Sequence, residues 1–189
     1  MASDVAIARG PVRALVSAMR PVQWLKNGLI GVAPVAAGVA THADVIRHTA
    51  AAFLCFCALA SAIYLLNDVR DLEADRQHPT KRYRAIASGQ LPIAVALASA
   101  LVLAVVAFAL PLLLWQPEGL YLILTLYLVI PLAYNFGVKH VAIIELGAVA
   151  SGFFLRAYAG AAASHIYVSA WSPSPCRCSC GSPKGSTSS

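Results

Sequence analysis

Charged residues are scarce in this chain of 189 residues. Asp, Glu, Lys and Arg together make up 12% of the sequence and hydrophobic residues make up 59%, whereas a charged fraction of about 25% is usual in soluble domains. This shortage excludes an ordinary soluble domain. The apolar runs are also continuous and lack a polar face, which disfavours a soluble helical bundle. The composition therefore predicts an all-α fold, a polytopic bundle of transmembrane helices.

Five apolar stretches have the length that a bilayer crossing requires, about 17–25 residues. They are Trp24–Ala40, Ala50–Leu66, Ile93–Trp115, Leu120–Phe136 and Val141–Ala163. The first is the weakest candidate because it contains Lys26, Asn27 and Pro34. We expect five membrane spans from these stretches.

Basic residues fall on alternate sides of the predicted spans. They precede the first span, follow the second and follow the fourth, at Arg9, Arg13, Arg20, Lys26, Arg70, Arg76, Lys81, Arg82, Arg84 and Lys139. Because short cytoplasmic loops are rich in Lys and Arg, we expect a multi-pass protein of the plasma membrane, with residues 1–20 and the loop Asn67–Pro92 in the cytoplasm. Residues 1–20 lack the compact apolar region of a cleaved signal peptide. The net charge of +6 then reflects topology and phosphate handling, and no nucleic-acid partner is expected.

A run of acids opens the loop after the second predicted span. Asp68, Asp71 and Asp75 come directly after the apolar run that ends at Leu66. If the helix continues through them, this spacing places their carboxylates on one face. Three like charges at the edge of a membrane repel each other unless a cation binds, and carboxylate oxygens suit Mg²⁺, which is commonly shared with substrate phosphates. The spacing therefore predicts a site for a metal and a diphosphate.

The second half of the same loop is basic. Lys81, Arg82 and Arg84 are able to bind phosphate oxygens, Arg through two parallel hydrogen bonds and Lys as a point charge. The same residues also suit a purely topological role, and both interpretations stay open. Lys26 and Asn27 pose the same question at the first span. They either reach an acceptor phosphate or, for Lys26, extend the ammonium group to the membrane interface.

Arg156 lies inside the fifth apolar stretch, where a charged side chain needs a partner or a water-filled cavity. Glu145 stands eleven residues earlier, about 16 Å away along one helix. A direct contact between the two is therefore not expected. Arg156 is a candidate either for phosphate binding or for a structural role.

The acidic run carries a family resemblance. Asn67-Asp68-x-x-Asp71-x-x-x-Asp75 resembles the first aspartate-rich motif of the UbiA superfamily of intramembrane prenyltransferases. Within that superfamily, the stretch His78–Gly89 resembles the corresponding loop of the decaprenyl-phosphate phosphoribosyltransferases. Further segments that resemble this subfamily are Arg20–Asn27, Ala133–Asn135 and Phe154–Gly160. The resemblance extends from about Arg20 to Ser164, which suggests a UbiA-like transmembrane domain over residues 21–164.

The resemblance implies a transferase that moves a 5-phosphoribosyl group from phosphoribosyl diphosphate to a polyprenyl phosphate such as decaprenyl phosphate, in the synthesis of cell-wall arabinan precursors. By the same resemblance, Asp68, Asp71 and Asp75 hold Mg²⁺ against the diphosphate and form the catalytic centre. Substrate-binding roles are implied for Lys26, Asn67, Lys81, Arg82, Arg84, Tyr134 and Arg156. The expected partners are thus phosphoribosyl diphosphate, the polyprenyl phosphate lipid and the membrane.

Two other functions stay open. A related enzyme that transfers a prenyl group from a prenyl diphosphate to an aromatic quinone precursor would explain the acids equally well. It would leave the resemblance over His78–Arg84 unexplained. A structural or transport protein with a cation path belongs to a different class, and the lack of acids in mid-membrane argues against it.

The resemblance also implies a fold of roughly nine transmembrane helices, of which this sequence predicts about five. Composition changes abruptly near Ile166 into a stretch rich in Ser, Pro, Cys and Gly. Residues 165–189 are therefore interpreted as a disordered or frame-shifted tail, and residues 21–164 as an incomplete, C-terminally truncated domain. Cys176, Cys178 and Cys180 in this tail do not have the spacing of a structural zinc site. Whether such a chain is active stays open.

Overall fold

The computed structural model describes residues 10–114, 118–137 and 142–164. This part of the chain is all-helical and contains no strand, which confirms the predicted class of helical bundle. Its α-helices, in chain order, are α1 Pro11–Ala18, α2 Val32–Ala36, α3 Ala43–Arg70, α4 Leu72–Gln77, α5 Ile93–Leu114, α6 Glu118–Gly137 and α7 Ala142–Ala163. Two 3₁₀ helices, Pro21–Gly31 and Lys81–Tyr83, complete the secondary structure of the described residues.

Helices α3 and α5 are long and apolar enough to cross a membrane. With 28 residues, α3 is about 42 Å long, which exceeds the roughly 30 Å of the hydrocarbon core. The excess length is polar, because α3 begins near Asp44 and ends beyond Asp68, with its apolar run in between. Asp68 therefore lies beyond the apolar part of α3, at its polar end.

An antiparallel pair of α3 and α5 forms one side of the bundle. Small side chains of α5 are buried against α3, namely Ala96, Ala100 and Ala107, and they allow the two helix axes to approach closely. The opposite face of α5 is exposed and apolar, with Leu101 at 67% and Val105 at 59% of full exposure. This division suits a helix with one face in the bundle and the other in lipid.

The first predicted span differs from a straight transmembrane helix. Over Trp24–Ala40 the structure has the end of the 3₁₀ helix Pro21–Gly31, then the five residues of α2, and a turn in which Gly38 has a φ of +71°. Side chains three residues apart eclipse each other in a 3₁₀ helix. Trp24, Asn27 and Ile30 therefore share one face. This face is directed at α3 and α7, and its polar contacts explain why the segment departs from the α-helical period.

Helices α6 and α7 correspond to the fourth and fifth predicted spans. The apolar part of α6, Gly119–Tyr134, is shorter than a typical span, and α7 has 22 residues, about 33 Å. Both helices join α3 around a common core that includes Phe56, Leu59 and Leu124. The two rings of Phe56 and Tyr127 lie 4.8 Å apart in this core.

Some sequence predictions lie outside the described residues. These are the tail 165–189 with its three cysteines, Arg9 and Lys139. The division of the chain at residues 20 and 164 stays a prediction.

Candidate functional site

The acids stand where α3 gives way to α4. Asp71 ends α3 and precedes α4 with a φ of −85° and a ψ of 10°, so the helical course is only slightly disturbed. Asp68 and Asp75 are nearly buried, at 5% and 2% of full exposure, and Asp71 is half-buried. The helical spacing predicted from sequence thus brings at least two of the three carboxylates to the same side of the polypeptide.

Arg84 links the two buried carboxylates. Its Nη1 donates to Oδ2 of Asp75 at 2.7 Å and to Oδ1 of Asp68 at 3.3 Å. Because one nitrogen contacts both oxygens, the carboxyl groups face each other across a space that a single cation can fill. Of Lys81, Arg82 and Arg84, the last is therefore the residue that contacts these two carboxylates.

Arg20 is a second cation in the cluster. Its Nη2 donates to Oδ1 of Asp68 at 2.6 Å, and its guanidinium group lies 4.9 Å from the centre of the Tyr64 ring. Its backbone is left-handed, with φ 54° and ψ 63°, and no other non-glycine among the described residues has a positive φ. Such a conformation costs about 1–2 kcal/mol. Strain of this kind persists where surrounding contacts fix it, often at functional sites.

The pairing of Arg20 with Asp68 cannot be predicted from the sequence. The two residues of the pair are 48 positions apart, and nothing in the spacing links them. Arg20 counted only as a topological charge and as part of a resembling segment. The structure adds it to the candidate site.

Burial also affects the charge state of Asp68. Its pKa is raised above the ordinary value because burial disfavours the carboxylate, although Arg20 and Arg84 act in the opposite direction. The two guanidinium groups therefore do not fully compensate the loss of water. A further cation beside Asp68 would lower this pKa.

The loop that carries Arg84 is anchored in the core. Ile86 and Leu91 are buried at 2% and 1% of full exposure, and the amide of Leu91 donates to the carbonyl oxygen of Ala85 at 2.9 Å. Gly89 supplies the positive φ of 79° that the turn between them requires. Because the anchors lie just beyond Arg84, they hold its backbone next to the acids.

Lys81 and Arg82 face away from this cluster. Both side chains are exposed, and neither forms an ion pair with the acids in the described part of the chain. Arg82 instead donates to the Tyr83 hydroxyl at 2.7 Å. The structure thus divides the basic loop into Arg84, which is part of the cluster, and two outward-facing cations.

The donor chemistry of the cluster fits Mg²⁺, since its ligands would be carboxylate oxygens. Among the described residues, however, no group of three Asp, Glu, His or Cys side chains is close enough to hold a metal ion. Mg²⁺ usually takes only one or two protein carboxylates, together with substrate phosphates and water. Asp68 and Asp75 provide such a pair once Arg84 no longer spans them.

A line of polar groups runs from the acids into the bundle. Along α3, Cys57, Ser61, Tyr64 and Asp68 alternate in steps of four and three residues and so share one face. The 3₁₀ helix Pro21–Gly31 lies against this face. The indole Nε1 of Trp24 donates to Oγ of Ser61 at 3.0 Å, and Nδ2 of Asn27 donates to Sγ of Cys57 at 3.2 Å.

Arg156 stands at the inner end of this line. Its Nε donates to Oδ1 of Asn27 at 2.8 Å, its Nη2 to the Tyr127 hydroxyl at 2.7 Å and its Nη1 to the Gly152 carbonyl at 2.8 Å. All three acceptors are neutral. Cys57, which shares Asn27 with Arg156, precedes Asp68 by eleven residues, about 16 Å along α3. Arg156 is thus not brought to the acidic cluster.

The remaining candidates are placed as follows. Lys26 is exposed and forms no ion pair with the acids among the described residues, whereas its neighbour Asn27 is fully buried and turned towards Arg156. Asn67 is half-buried beside Asp68. Tyr134 is half-buried near the end of α6.

Comparison with known proteins adds the following. Residues 29–176 match the family model described as the UbiA prenyltransferase family. A decaprenyl-phosphate phosphoribosyltransferase of Mycolicibacterium smegmatis is 44% identical over 90% of this chain and 56% of its own length. Proteins of the same name from Corynebacterium glutamicum and Mycobacterium tuberculosis are each 45% identical, over 83% and 85% of this chain and 48% and 54% of their own lengths. The chain spans about half the length of the curated relatives it matches.

Proposed function

Because this chain belongs to the UbiA prenyltransferase family, we propose that it transfers a 5-phosphoribosyl group from phosphoribosyl diphosphate to a polyprenyl phosphate, with release of diphosphate. The observation that carries this proposal is the buried cluster of Asp68 and Asp75 with Arg20 and Arg84 at the polar end of α3. Relatives of about 45% identity named decaprenyl-phosphate phosphoribosyltransferase favour this reaction over prenyl transfer to an aromatic acceptor.

The acidic cluster would receive the donor. Asp68, Asp71 and Asp75, supported by Asn67, would hold Mg²⁺ against the diphosphate. The metal would neutralise the charge that develops on the departing diphosphate. Arg20 and Arg84 would contact its oxygens directly, since guanidinium groups bind phosphate in a bidentate manner. Lys81 and Arg82, which are exposed on the loop that carries Arg84, would attract the anionic donor from solution.

The acceptor lipid would approach from the membrane. Lys26, Tyr134 and Arg156 are the proposed contacts for its phosphate or for the first part of its chain. An apolar cavity of about 400 Å³ lies between the 3₁₀ helix Pro21–Gly31 with α2 and the first half of α3. It is lined by side chains that include Ile30, Pro34 and Phe53. Such a lining suits a stretch of the polyprenyl tail.

We place the reaction at the cytoplasmic face of the plasma membrane, in a multi-pass protein that serves the synthesis of cell-wall arabinan precursors. Two apolar helices support a membrane location. The concentration of basic residues at the same end as Asp68 supports the orientation, because cytoplasmic segments are rich in Lys and Arg. The partners would then be the donor, the acceptor lipid and the membrane, without nucleic acid.

A direct test uses membranes that contain the 189-residue chain, labelled phosphoribosyl diphosphate, Mg²⁺ and decaprenyl phosphate. We expect label in the lipid extract. Asp68→Asn should lower the rate by at least about 10- to 100-fold, the usual range when metal binding is disturbed. Asp44→Asn is the matched control, because Asp44 is an exposed acid at the opposite end of α3 that forms an ion pair with Arg47. It should leave the rate unchanged.

The same membranes distinguish the alternative enzyme. Labelled prenyl diphosphate with an aromatic acceptor should give no product. Prenylation of that acceptor, without ribosyl transfer in the first assay, would replace the proposed reaction by the alternative. Failure to bind phosphoribosyl diphosphate at all, measured by equilibrium dialysis, would contradict the assignment of the cluster to the donor.

A further inference from the structure

The charges of the acidic cluster already balance without a metal. Asp68 and Asp75 contribute two negative charges, and Arg20 and Arg84 contribute two positive charges. Three ion pairs link them: Arg20 with Asp68, and Arg84 with both Asp68 and Asp75. Arg84 spans the two carboxylates, which is the position that a shared cation would need. A metal ion therefore has to displace a guanidinium group before both carboxylates can bind it.

Electrostatics decides when this displacement is favourable. A divalent cation alone would leave the four groups of the cluster with two excess positive charges, next to carboxylates that are nearly buried. Uncompensated charge is costly where water is excluded. A metal that enters together with a diphosphate brings negative charge at the same time. The displaced guanidinium groups then find phosphate oxygens in place of the carboxylates.

From this we infer that Arg20 and Arg84 exchange partners on ligand binding. They hold Asp68 and Asp75 in the metal-free protein and transfer to the diphosphate when the metal takes over the carboxylates, so that metal and diphosphate bind as an obligatory pair. The inference rests on the proposed function in that it takes the ligand to be a metal diphosphate. It adds Arg20 as a binding residue and predicts an order that the cluster imposes on its ligands.

The position of Arg20 supports such an exchange. Its guanidinium group has one carboxylate contact, lies against the face of Tyr64 and is about one-third exposed. Rotation about its side-chain bonds is therefore enough to carry it from Asp68 to an anion at the cytoplasmic end of α3. Arg84 has the same exposure and two carboxylate contacts, so it is the stronger block to metal entry.

The test measures metal binding rather than catalysis. The full chain in phospholipid vesicles is dialysed against Mn²⁺, which binds the same oxygen ligands as Mg²⁺, with and without inorganic pyrophosphate. We expect weak Mn²⁺ binding alone and an affinity at least about tenfold higher with pyrophosphate, the factor that one charge-assisted contact supplies. By linkage, Mn²⁺ should raise the affinity for pyrophosphate by the same factor.

Substitution of Arg84, which bridges the two carboxylates, should change the affinities for Mn²⁺ and pyrophosphate in opposite directions. Arg84→Gln removes the block and a phosphate contact together, so Mn²⁺ alone should bind about tenfold more tightly and pyrophosphate more weakly. Arg20→Gln should act in the same direction with a smaller effect on Mn²⁺. Arg76→Gln is the matched control, because Arg76 lies on α4 next to Asp75 in sequence but, within the described part of the chain, pairs with exposed Glu73 and not with the acids of the cluster. It removes the same charge and should change neither affinity.

Equal Mn²⁺ affinity with and without pyrophosphate in the unsubstituted chain would overturn the inference. A second result would also overturn it: Arg84→Gln lowers the affinities for both Mn²⁺ and pyrophosphate, and Arg84→Lys restores both. Such a result would mean that position 84 needs only a positive charge, and that Arg84 does not block the metal. If Arg84→Gln does not fold, Arg20→Gln decides by the same criterion. Because the probe is inorganic pyrophosphate, coupled binding without ribosyl transfer would refute the proposed reaction alone, and transfer without coupling would refute the exchange alone.

Discussion

Gly160 determines how closely α7 approaches the 3₁₀ helix Pro21–Gly31. A Cβ atom at this position would overlap the carbonyl oxygen of Ile30, a backbone atom that cannot move aside alone. Gly147 belongs to the same helix, but a Cβ there meets nothing within 4 Å. Substitution of Gly160 should therefore destabilise the fold, whereas substitution of Gly147 should not. The sequence alone suggests only a general role in helix packing for both.

We expect Gly160→Ala to lower the free energy of unfolding by about 1–3 kcal/mol, the usual cost of overpacking. Gly147→Ala should be neutral or stabilising by about 0.5–1 kcal/mol, because alanine restricts the unfolded chain without a clash. Unfolding of the two variants in the same detergent, followed by circular dichroism, measures both changes. Equal effects of the two substitutions would show that α7 and the 3₁₀ helix are not in close contact.

Single residues also mark the limit of what sequence predicts about the site. Asp68, Asp71 and Asp75 were predicted as a group because helical spacing is a local property of the chain. Arg20 was missed as a site residue because its partner is 48 positions away, and Lys81 and Arg84 looked equivalent because a turn decides which of them faces the acids. Long-range pairing and turn direction depend on tertiary packing, which one sequence does not encode in its spacing.

The first apolar segment shows how an element departs from its expected form. Its length and hydrophobicity predicted a membrane span, yet it forms a 3₁₀ helix followed by a short α-helix. The polar face of Trp24 and Asn27 explains the difference, because both side chains bind groups on α3. Asn27 in turn accepts a hydrogen bond from Arg156, so three segments meet at this amide. The long apolar helices α3 and α5 are predictable from the sequence, because continuous apolar runs have few alternatives to a helix in a membrane.

The hydrogen bond between Asn27 and Arg156 should therefore contribute much of the free energy that holds the 3₁₀ helix Pro21–Gly31 against α7. Asn27→Ala removes one of the acceptors of the buried Arg156 guanidinium group, and we expect a loss of about 1.5–3 kcal/mol in the free energy of unfolding, the usual contribution of a hydrogen bond to a charged group. In a double-mutant cycle with Arg156→Met, the coupling should be about 1–3 kcal/mol. The exposed pair Asp44 and Arg47 is the control, with an expected coupling of about 0.3–0.5 kcal/mol. Additive effects at Asn27 and Arg156 would contradict this attachment.

Consecutive segments of the bundle run in opposite directions. The 3₁₀ helix Pro21–Gly31 runs antiparallel to α3, since Trp24 contacts Ser61 while Asn27 contacts Cys57. Helix α5 runs antiparallel to α3 in turn, and α7 follows the direction of the 3₁₀ helix through its contacts at Asn27 and Ile30. This alternation agrees with the distribution of basic residues, which predicts that the acidic cluster and the start of α3 lie on opposite sides of the membrane.

Chemical labelling tests this assignment. In a variant without its five native cysteines, a cysteine at Arg82 should react with an impermeant maleimide only when the cytoplasmic side is exposed, as in inverted vesicles. A cysteine at Arg47, near the start of α3, should react only in right-side-out vesicles or intact cells. Both positions are exposed in the structure, so accessibility to solvent is not the limiting factor. Because α3 is about 42 Å long and carries its polar residues at both ends, labelling of both positions from the same side would mean that this helix does not cross the membrane. Labelling of position 82 only from the outer side would mean that the donor site is reached from the opposite face, and the proposed use of a cytoplasmic diphosphate would then fail.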